Sequence, residues 1–163
     1  MRTMNAPIIK TKLLRKLAWA GALLAGGLPG YALPVQLHDR EATLEAIHQV
    51  ENPRDLKRAG PAGELGAYQL RRETWQMYTT RPFFEALDRQ ASDEVAARHF
   101  EWLRRGLVRG GCEPTIYNIA LAWNAGLGAV LHQRAPARSR FYAERVVNLA
   151  GEFSGSMQLA SAP

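Results

Sequence analysis

The sequence has little cysteine, no acidic residue near its beginning and no long apolar run. Cys112 is the only cysteine among 163 residues, which excludes an intramolecular disulfide. Residues 1–32 contain no aspartate or glutamate, but they contain five bases. The absence of cysteine from this segment also excludes lipid attachment there.

The positive charge of the chain is concentrated at its N-terminus. The chain has 21 bases and 15 acids, which is a formal net charge of +6. Beyond residue 32 only 16 bases remain to balance all 15 acids, so the net charge of that part is +1. Nucleic-acid-binding surfaces usually have a clear excess of Lys and Arg. The sequence therefore predicts no nucleic-acid partner for the folded part.

Residues 1–32 have the pattern of an export signal. The apolar stretch 17–28 follows the bases, and Gly30 and Ala32 supply the small residues of a cleavage site. We expect cleavage after Ala32 and an exported protein of the periplasm or cell envelope. The stretch is shorter than the roughly 20 apolar residues of a spanning helix, so no membrane span is expected after processing. An uncleaved N-terminal anchor is the alternative.

The remaining sequence predicts one mainly α-helical domain over residues 33–150 and a disordered tail over 151–163. A first helix, capped by Asp39 or Thr43, should end near Glu51, because Pro53 disfavours helical geometry in the residue before it. Residues 53–66 are rich in Pro, Gly and charge, which predicts an irregular loop or a small hairpin. Further helices are predicted over 71–78, 93–106 with Ser92 as the cap, 114–123 with Pro114 in the first turn, and 139–149.

One acid and two amides stand at positions that predict a sugar-cleaving site. Glu51 ends the first predicted helix, and Gln69 follows in a glycine-containing loop. Asn124 stands much later in the chain, beside Trp123. An acid can protonate a leaving oxygen, while amides and aromatic rings bind sugars.

Glu51 is the predicted catalytic residue because its position favours a raised pKa. The C-terminal end of a helix disfavours negative charge, and burial in a cleft would add desolvation. Ordinary glycosidases use a second carboxylate, for which Asp55 and Glu64 are the candidates. Pro53 prevents Asp55 from lying one helical turn beyond Glu51, and Glu64 lies among loop glycines. The pattern therefore favours chemistry that needs a single acid.

Four segments resemble the soluble lytic transglycosylases and the related goose-type lysozymes. They are Glu51 at the helix end, Gly63-Glu64-Leu65-Gly66-Ala67-Tyr68-Gln69-Leu70, Ala120-Leu121-Ala122-Trp123-Asn124-Ala125-Gly126, and Phe141-Tyr142 before Val146. The resemblance covers residues 41–149. The chain departs from the family pattern at Asn52, where a serine is common, at Ala67-Tyr68 in place of Leu-Met, and at Trp123 in place of tyrosine.

The resemblance implies a lysozyme-like fold and a peptidoglycan lytic transglycosylase without a cofactor. In that family one glutamate is sufficient, because the C6 hydroxyl of N-acetylmuramic acid is the internal nucleophile and a 1,6-anhydro sugar is the product. Glu51 would be the acid and then the base. Tyr142 would orient it, and Gly63, Glu64 and Gly66 would support the loop. The expected substrate-binding residues are Tyr68, Gln69, Trp123 and Asn124.

Two other functions remain open from the sequence. The first is a hydrolytic muramidase that uses Glu64 or Asp55 to position water. The second is a non-catalytic protein of glycan binding or envelope assembly. An envelope-spanning secretion or assembly machine is a candidate partner in addition to peptidoglycan. The four histidines, His38, His48, His99 and His132, lack metal-ligand spacing, and no metal site is predicted.

Overall fold

The structure, a computed structural model, describes residues 37–160, with side chains from Arg40 to Ser156. The predicted export signal, its cleavage point and residues 161–163 lie outside the described residues. Within the described range, no helix is both long and apolar enough to cross a membrane.

The described part of the chain is mainly α-helical, as predicted. It contains six α-helices and one 3₁₀ helix: α1 Leu37–Glu51, α2 Arg72–Gln76, the 3₁₀ helix Phe83–Leu87, α3 Arg89–Arg109, α4 Ile116–Ala125, α5 Leu127–Leu131 and α6 Ala137–Ala160. The connection from α1 to α2 is irregular, and within it Leu65 and Leu70 form one isolated antiparallel bridge. The predicted loop after Glu51 is therefore confirmed.

The core lies between α1, α3, α4 and α6. α1 and α4 both pack extensively against α6, and α3 packs against α4 and the 3₁₀ helix. One fully buried apolar side chain from each of these four helices illustrates the core: Ile47, Phe100, Ile119 and Val146. Each such side chain contributes roughly 1.5–3 kcal/mol through burial. This packing fixes the C-terminal end of α1 beside α4 and α6.

Two predicted helix starts are wrong. α3 begins at Arg89 because the Asp88 side chain caps it, accepting a 2.8 Å hydrogen bond from the Ala91 amide. Ser92 is instead buried inside the first turn of α3. α1 already includes both Asp39 and Thr43, so its predicted start is too late.

α4 begins and ends two residues later than predicted, at Ile116 and Ala125. The Thr115 hydroxyl caps the helix by accepting a 3.1 Å hydrogen bond from the Asn118 amide, so Pro114 precedes the helix. Gly126 follows the last residue, has φ +86°, and donates its amide to the Ala122 carbonyl. A short helix that the sequence analysis missed, α5, starts directly afterwards.

α6 differs most from the prediction. It starts at Ala137 and continues to Ala160, through ten residues of the segment 151–163 for which a disordered tail was expected. Ala150 is buried and Phe153 packs against the core, so the apolar contact of α6 extends beyond Leu149. Tertiary packing outweighs the low helix propensity of the glycines and serines in this segment.

Candidate active site

A polar cleft with a volume of about 540 Å³ opens beside the C-terminal end of α1. Its wall combines the end of α1, the following loop, one residue each of α2 and α3, the end of α4 and the start of α6. The predicted site residues in this wall are Glu51, Glu64, Gln69, Trp123 and Asn124. The fold therefore brings together residues that are more than 70 positions apart in the sequence.

The space beside Glu51 continues past the main cleft. A neighbouring cavity of about 430 Å³ shares Glu51, Pro61 and Gln69 with it. Glu51 thus lines both cavities.

Asn52 fixes the wall next to Glu51. Its buried side chain accepts a 2.9 Å hydrogen bond from the Leu56 amide, and its Nδ2 donates to the carbonyls of Leu56 and Gly66 at 3.2 Å each. These bonds join the end of α1 to the turn that begins at Gly66. The sequence analysis treated Asn52 only as a departure from a family pattern and missed this role.

The turn at Gly66 holds Gln69 beside the cleft. Gly66 has φ +79°, and a Cβ atom there would lie 1.8 Å from the Ala86 carbonyl oxygen, so only glycine fits. Gln69 itself has φ +44°, and its Nε2 donates a 3.0 Å hydrogen bond to the Gly66 carbonyl. The amide of Gln69 therefore braces the loop, while the side chain forms part of the cleft wall. Gly63 also has a positive φ, of +81°.

Glu51 has the electrostatics that general acid catalysis requires. Burial raises the pKa of its carboxyl group, and the negative charge of Glu64 raises it further. An interaction with the Tyr142 hydroxyl acts in the opposite direction, and the resulting pKa is about 7. The raised pKa agrees with the sequence prediction. At neutral pH both the acid and the carboxylate are present in similar amounts.

Tyr142 lies behind Glu51 rather than in the cleft wall. Burial raises the pKa of its hydroxyl well above the usual value, and the nearby charge of Glu51 adds to this effect. The hydroxyl forms no hydrogen bond that meets normal distance and angle limits. It is therefore a buried polar group that interacts electrostatically with Glu51 but lacks a well-formed hydrogen bond. Such an arrangement is uncommon in a protein interior.

The two candidates for a second carboxylate occupy different places. Glu64 lines the cleft, accepts a 2.9 Å hydrogen bond from the Ala62 amide and lies 3.8 Å from the Arg71 guanidinium. Asp55 lines neither cavity that Glu51 shares. Its carboxylate lies 3.1 Å from the Nε2 of buried His48. Asp55 is therefore removed as a candidate for positioning water.

Tyr68 is the one predicted substrate-binding residue that is absent from the cleft wall. It is only 3% exposed, and its hydroxyl donates a 2.6 Å hydrogen bond to Asp93. Its ring packs at a tilt against Trp123, with the ring centres 6.2 Å apart. The prediction that Tyr68 binds substrate is therefore wrong. The turn before Gln69 directs the Tyr68 ring into the core, where it packs against Trp123.

His99 lines the cleft, which the sequence analysis did not predict. It lies on α3 among aromatic side chains, and burial lowers its pKa to about 4, so the ring is neutral at physiological pH. A sequence signal exists for this position, because His99 and Trp102 are three residues apart and therefore share one face of α3.

No family model, curated protein or solved structure matches the chain. Among residues 37–160, no group of three or more His, Cys, Asp or Glu side chains could hold a metal ion.

Proposed function

We propose that this protein is a peptidoglycan lytic transglycosylase with a lysozyme-like fold. It would cleave the β-1,4 bond between N-acetylmuramic acid and N-acetylglucosamine and release a 1,6-anhydro sugar. The observation that carries the proposal is Glu51, a largely buried acid with a pKa of about 7, which lines both a polar cleft and a neighbouring cavity. This acid can be protonated at neutral pH and can lie next to a bond inside a longer glycan.

The proposed reaction uses Glu51 twice. The protonated carboxyl group donates its proton to the bridging oxygen as the bond from C1 of N-acetylmuramic acid to that oxygen breaks. The resulting carboxylate accepts the proton of the C6 hydroxyl of the same sugar, and the C6 oxygen bonds to C1. The neighbouring N-acetyl group assists departure. Because the nucleophile belongs to the substrate, ring closure is intramolecular and needs no second protein carboxylate or cofactor.

The environment of Glu51 suits both of these steps. Burial and the charge of Glu64 favour the protonated form that must donate first. The hydroxyl of Tyr142 favours the carboxylate that must accept afterwards. These opposing effects keep the pKa near the pH of operation, where general acid–base catalysis is most efficient.

The remaining cleft residues supply groups for glycan binding. Trp123 offers an aromatic surface for a sugar ring and Asn124 offers an amide, while Arg71 and Arg138 add positive charge. That charge would attract the acidic peptides and lactyl groups of peptidoglycan. The proposed location is the cell envelope, where the protein would open the wall locally, with an envelope-spanning secretion or assembly machine as a candidate partner.

A hydrolytic muramidase is the second candidate function, and Glu64 favours it. This carboxylate lies in the same cleft as Glu51 and is held by the Ala62 amide. In a hydrolase it would hold a water molecule as the nucleophile, and the product would have a reducing end. A non-catalytic glycan-binding or envelope-assembly protein is the remaining alternative.

Digestion of purified peptidoglycan, followed by mass spectrometry of the products, separates these functions. We expect 1,6-anhydro ends from the wild-type protein, whereas reducing ends would support hydrolysis and no release would support binding alone. Glu51→Gln should lower the rate by about two to four orders of magnitude. The matched control is Glu41→Gln, an exposed position on the same helix. A Glu51→Gln variant as active as this control would exclude the proposed acid.

A further inference from the structure

His99 is held in one orientation by three aromatic neighbours. Its ring stacks on Trp102 with the ring centres 5.8 Å apart and the planes 12° from parallel. It meets Trp123 edge-on at 4.9 Å and Tyr78 edge-on at 5.8 Å. The Tyr78 hydroxyl lies 3.0 Å from Nδ1 of the imidazole. These contacts surround the ring with aromatic side chains and use one of its two nitrogen atoms.

The remaining nitrogen, Nε2, is the one available to the cleft. His99 and Trp123 line the cleft, whereas Tyr78 does not. Among the described residues none forms a hydrogen bond with Nε2, and this atom is not a buried polar atom without a partner, so a ligand can reach it. The Tyr78 hydroxyl can donate to Nδ1, and the neutral tautomer that accepts this bond carries its proton on Nε2. In that tautomer His99 has one N–H donor for a ligand in the cleft, next to the indole of Trp123.

We propose that His99 and Trp123 together form a binding site for the acetamido group of one sugar in the cleft. The Nε2–H of His99 donates a hydrogen bond to the acetamido carbonyl oxygen, and the acetamido methyl group packs on the Trp123 indole. An acetamido group combines an acceptor and a methyl group at short distance, which matches a donor beside an aromatic surface. This inference rests on the proposed function, because it assigns a substrate group to the same cleft.

Burial supports this assignment in preference to a charged ligand group. A buried, neutral imidazole attracts a carboxylate much less than a protonated one would, and burial keeps the pKa of His99 low, at about 4. The acidic groups of a peptidoglycan strand would therefore interact with Arg71 and Arg138 elsewhere in the cleft. The site at His99 would instead distinguish N-acetylated sugars from deacetylated ones.

The inference can be tested without turnover. Full-length Glu51→Gln protein, labelled with ¹⁵N in histidine, would be titrated with a tetramer of N-acetylglucosamine. We expect the His99 spectrum to show Nε2 protonated and Nδ1 unprotonated, and the Nε2 resonance to shift when the tetramer binds. The exposed His132 serves as the internal control, and its signals should not move.

Variants in the same background separate the donor from the ring. His99→Phe keeps an aromatic ring but loses the donor, so affinity for the N-acetylated tetramer should fall about tenfold or more. His99→Gln can place an amide N–H near the same position and should recover part of this loss. The fully deacetylated tetramer should bind the wild-type and His99→Phe forms about equally, and His132→Phe should behave as wild type with both ligands.

The outcomes distinguish this inference from the proposed function. Binding of the N-acetylated tetramer with an unchanged Nε2 resonance, or with Nε2 unprotonated, would overturn the acetamido site and leave the transglycosylase proposal standing. Equal loss of both tetramers in His99→Phe would also overturn it, because the role of His99 would then be structural. If neither the tetramer nor peptidoglycan fragments bound, the proposed function and this inference would both fail.

Discussion

Tyr142 of α6 interacts with Glu51, the last residue of α1. The Tyr142 hydroxyl lowers the pKa of the Glu51 carboxyl group, while the Glu51 charge raises that of the hydroxyl. Glu64, in the loop between α1 and α2, raises the pKa of Glu51. Two neighbours therefore shift the same acid in opposite directions, and each can be removed separately.

Tyr142→Phe should raise the pKa of Glu51, because the hydroxyl that favours the carboxylate is lost. The alkaline limb of the pH–rate profile, which reports loss of the acid form, should move to higher pH. Below about pH 7, where Glu51 is mostly protonated, the free energy of unfolding should not fall, because the buried hydroxyl forms no well-formed hydrogen bond. Rates of glycan cleavage and urea unfolding over a range of pH measure the two effects.

Tyr117→Phe is the matched control, because Tyr117 is partly buried on α4 outside the cleft wall. It should leave the pH–rate profile unchanged. A Tyr142→Phe profile identical to that of this control would show that the hydroxyl does not act on Glu51.

Glu64→Gln should have the opposite effect on the acid. Removing a negative charge from the cleft lowers the pKa of Glu51, so the alkaline limb should move to lower pH. If the reaction is that of a transglycosylase, the variant should still form anhydro products. The matched control is Glu73→Gln, which removes the same charge at an exposed position outside the cleft wall and should leave the profile unchanged. Loss of all products in Glu64→Gln alone would favour hydrolysis, with Glu64 as the residue that positions water.

Sequence patterns identified the parts of this site that depend on neighbouring residues. Pro53 predicts where α1 ends, and therefore predicts that Glu51 lies at a helix terminus. The glycines of the following loop predict the tight turn that holds Gln69. The helical periodicity also predicts α3 and α4, although their first residues differ by a few positions.

The errors concern contacts between residues that are distant in the sequence. Tyr68 is buried, and its hydroxyl donates a hydrogen bond to Asp93, 25 positions later in the sequence. His99 enters the cleft because Trp102, Trp123 and Tyr78 surround it, and only the packed fold brings Trp123 to α3. α6 continues past residue 150, where Phe153 packs against the hydrophobic core. Local propensity carries no information about such partners.

Gly66→Ala should destabilise the protein much more than Gly63→Ala, although both glycines have positive φ. An alanine at either position has an unfavourable backbone conformation, which costs about 1 kcal/mol. At Gly66 the new Cβ would also lie 1.8 Å from the Ala86 carbonyl oxygen, whereas at Gly63 no atom lies within 4 Å. The turn at Gly66 would have to move, and the loss should exceed about 3 kcal/mol.

Urea unfolding of the two glycine variants measures this difference. Gly66→Ala should also lose activity at temperatures where the variant remains folded. The reason is that the carbonyl group of residue 66 accepts hydrogen bonds from the Asn52 and Gln69 side chains. Equal stabilities of the two variants would show that the turn is free to move away from Ala86.

Glu51 and His99 should give the stability of the protein two opposing dependences on pH. The folded-state pKa of Glu51 is about 7, against an ordinary 4.5, so between these values the folded protein keeps a proton that the unfolded chain releases. Stability attributable to Glu51 is therefore present below pH 4.5 and lost as the pH rises to about 7, by at most about 3 kcal/mol. The folded-state pKa of His99 is about 4, against 6.5, so its contribution is present above pH 6.5 and lost as the pH falls to about 4.

Each variant should expose the contribution of the other residue. Glu51→Gln should gain stability relative to wild type as the pH rises from about 4.5 to 7, because only in the wild type does unfolding then release a proton from residue 51. His99→Phe should show its largest gain relative to wild type at low pH, where only the wild type must exclude a proton from a buried imidazole. Urea unfolding at about four pH values between 4 and 8, with Glu41→Gln and His132→Phe as exposed controls, measures both differences. Differences that stay constant with pH would mean that neither group is buried enough in solution to hold its shifted pKa. The alkaline limb of the wild-type pH–rate profile should then also not lie near pH 7, because the same carboxyl group determines the stability difference and the rate.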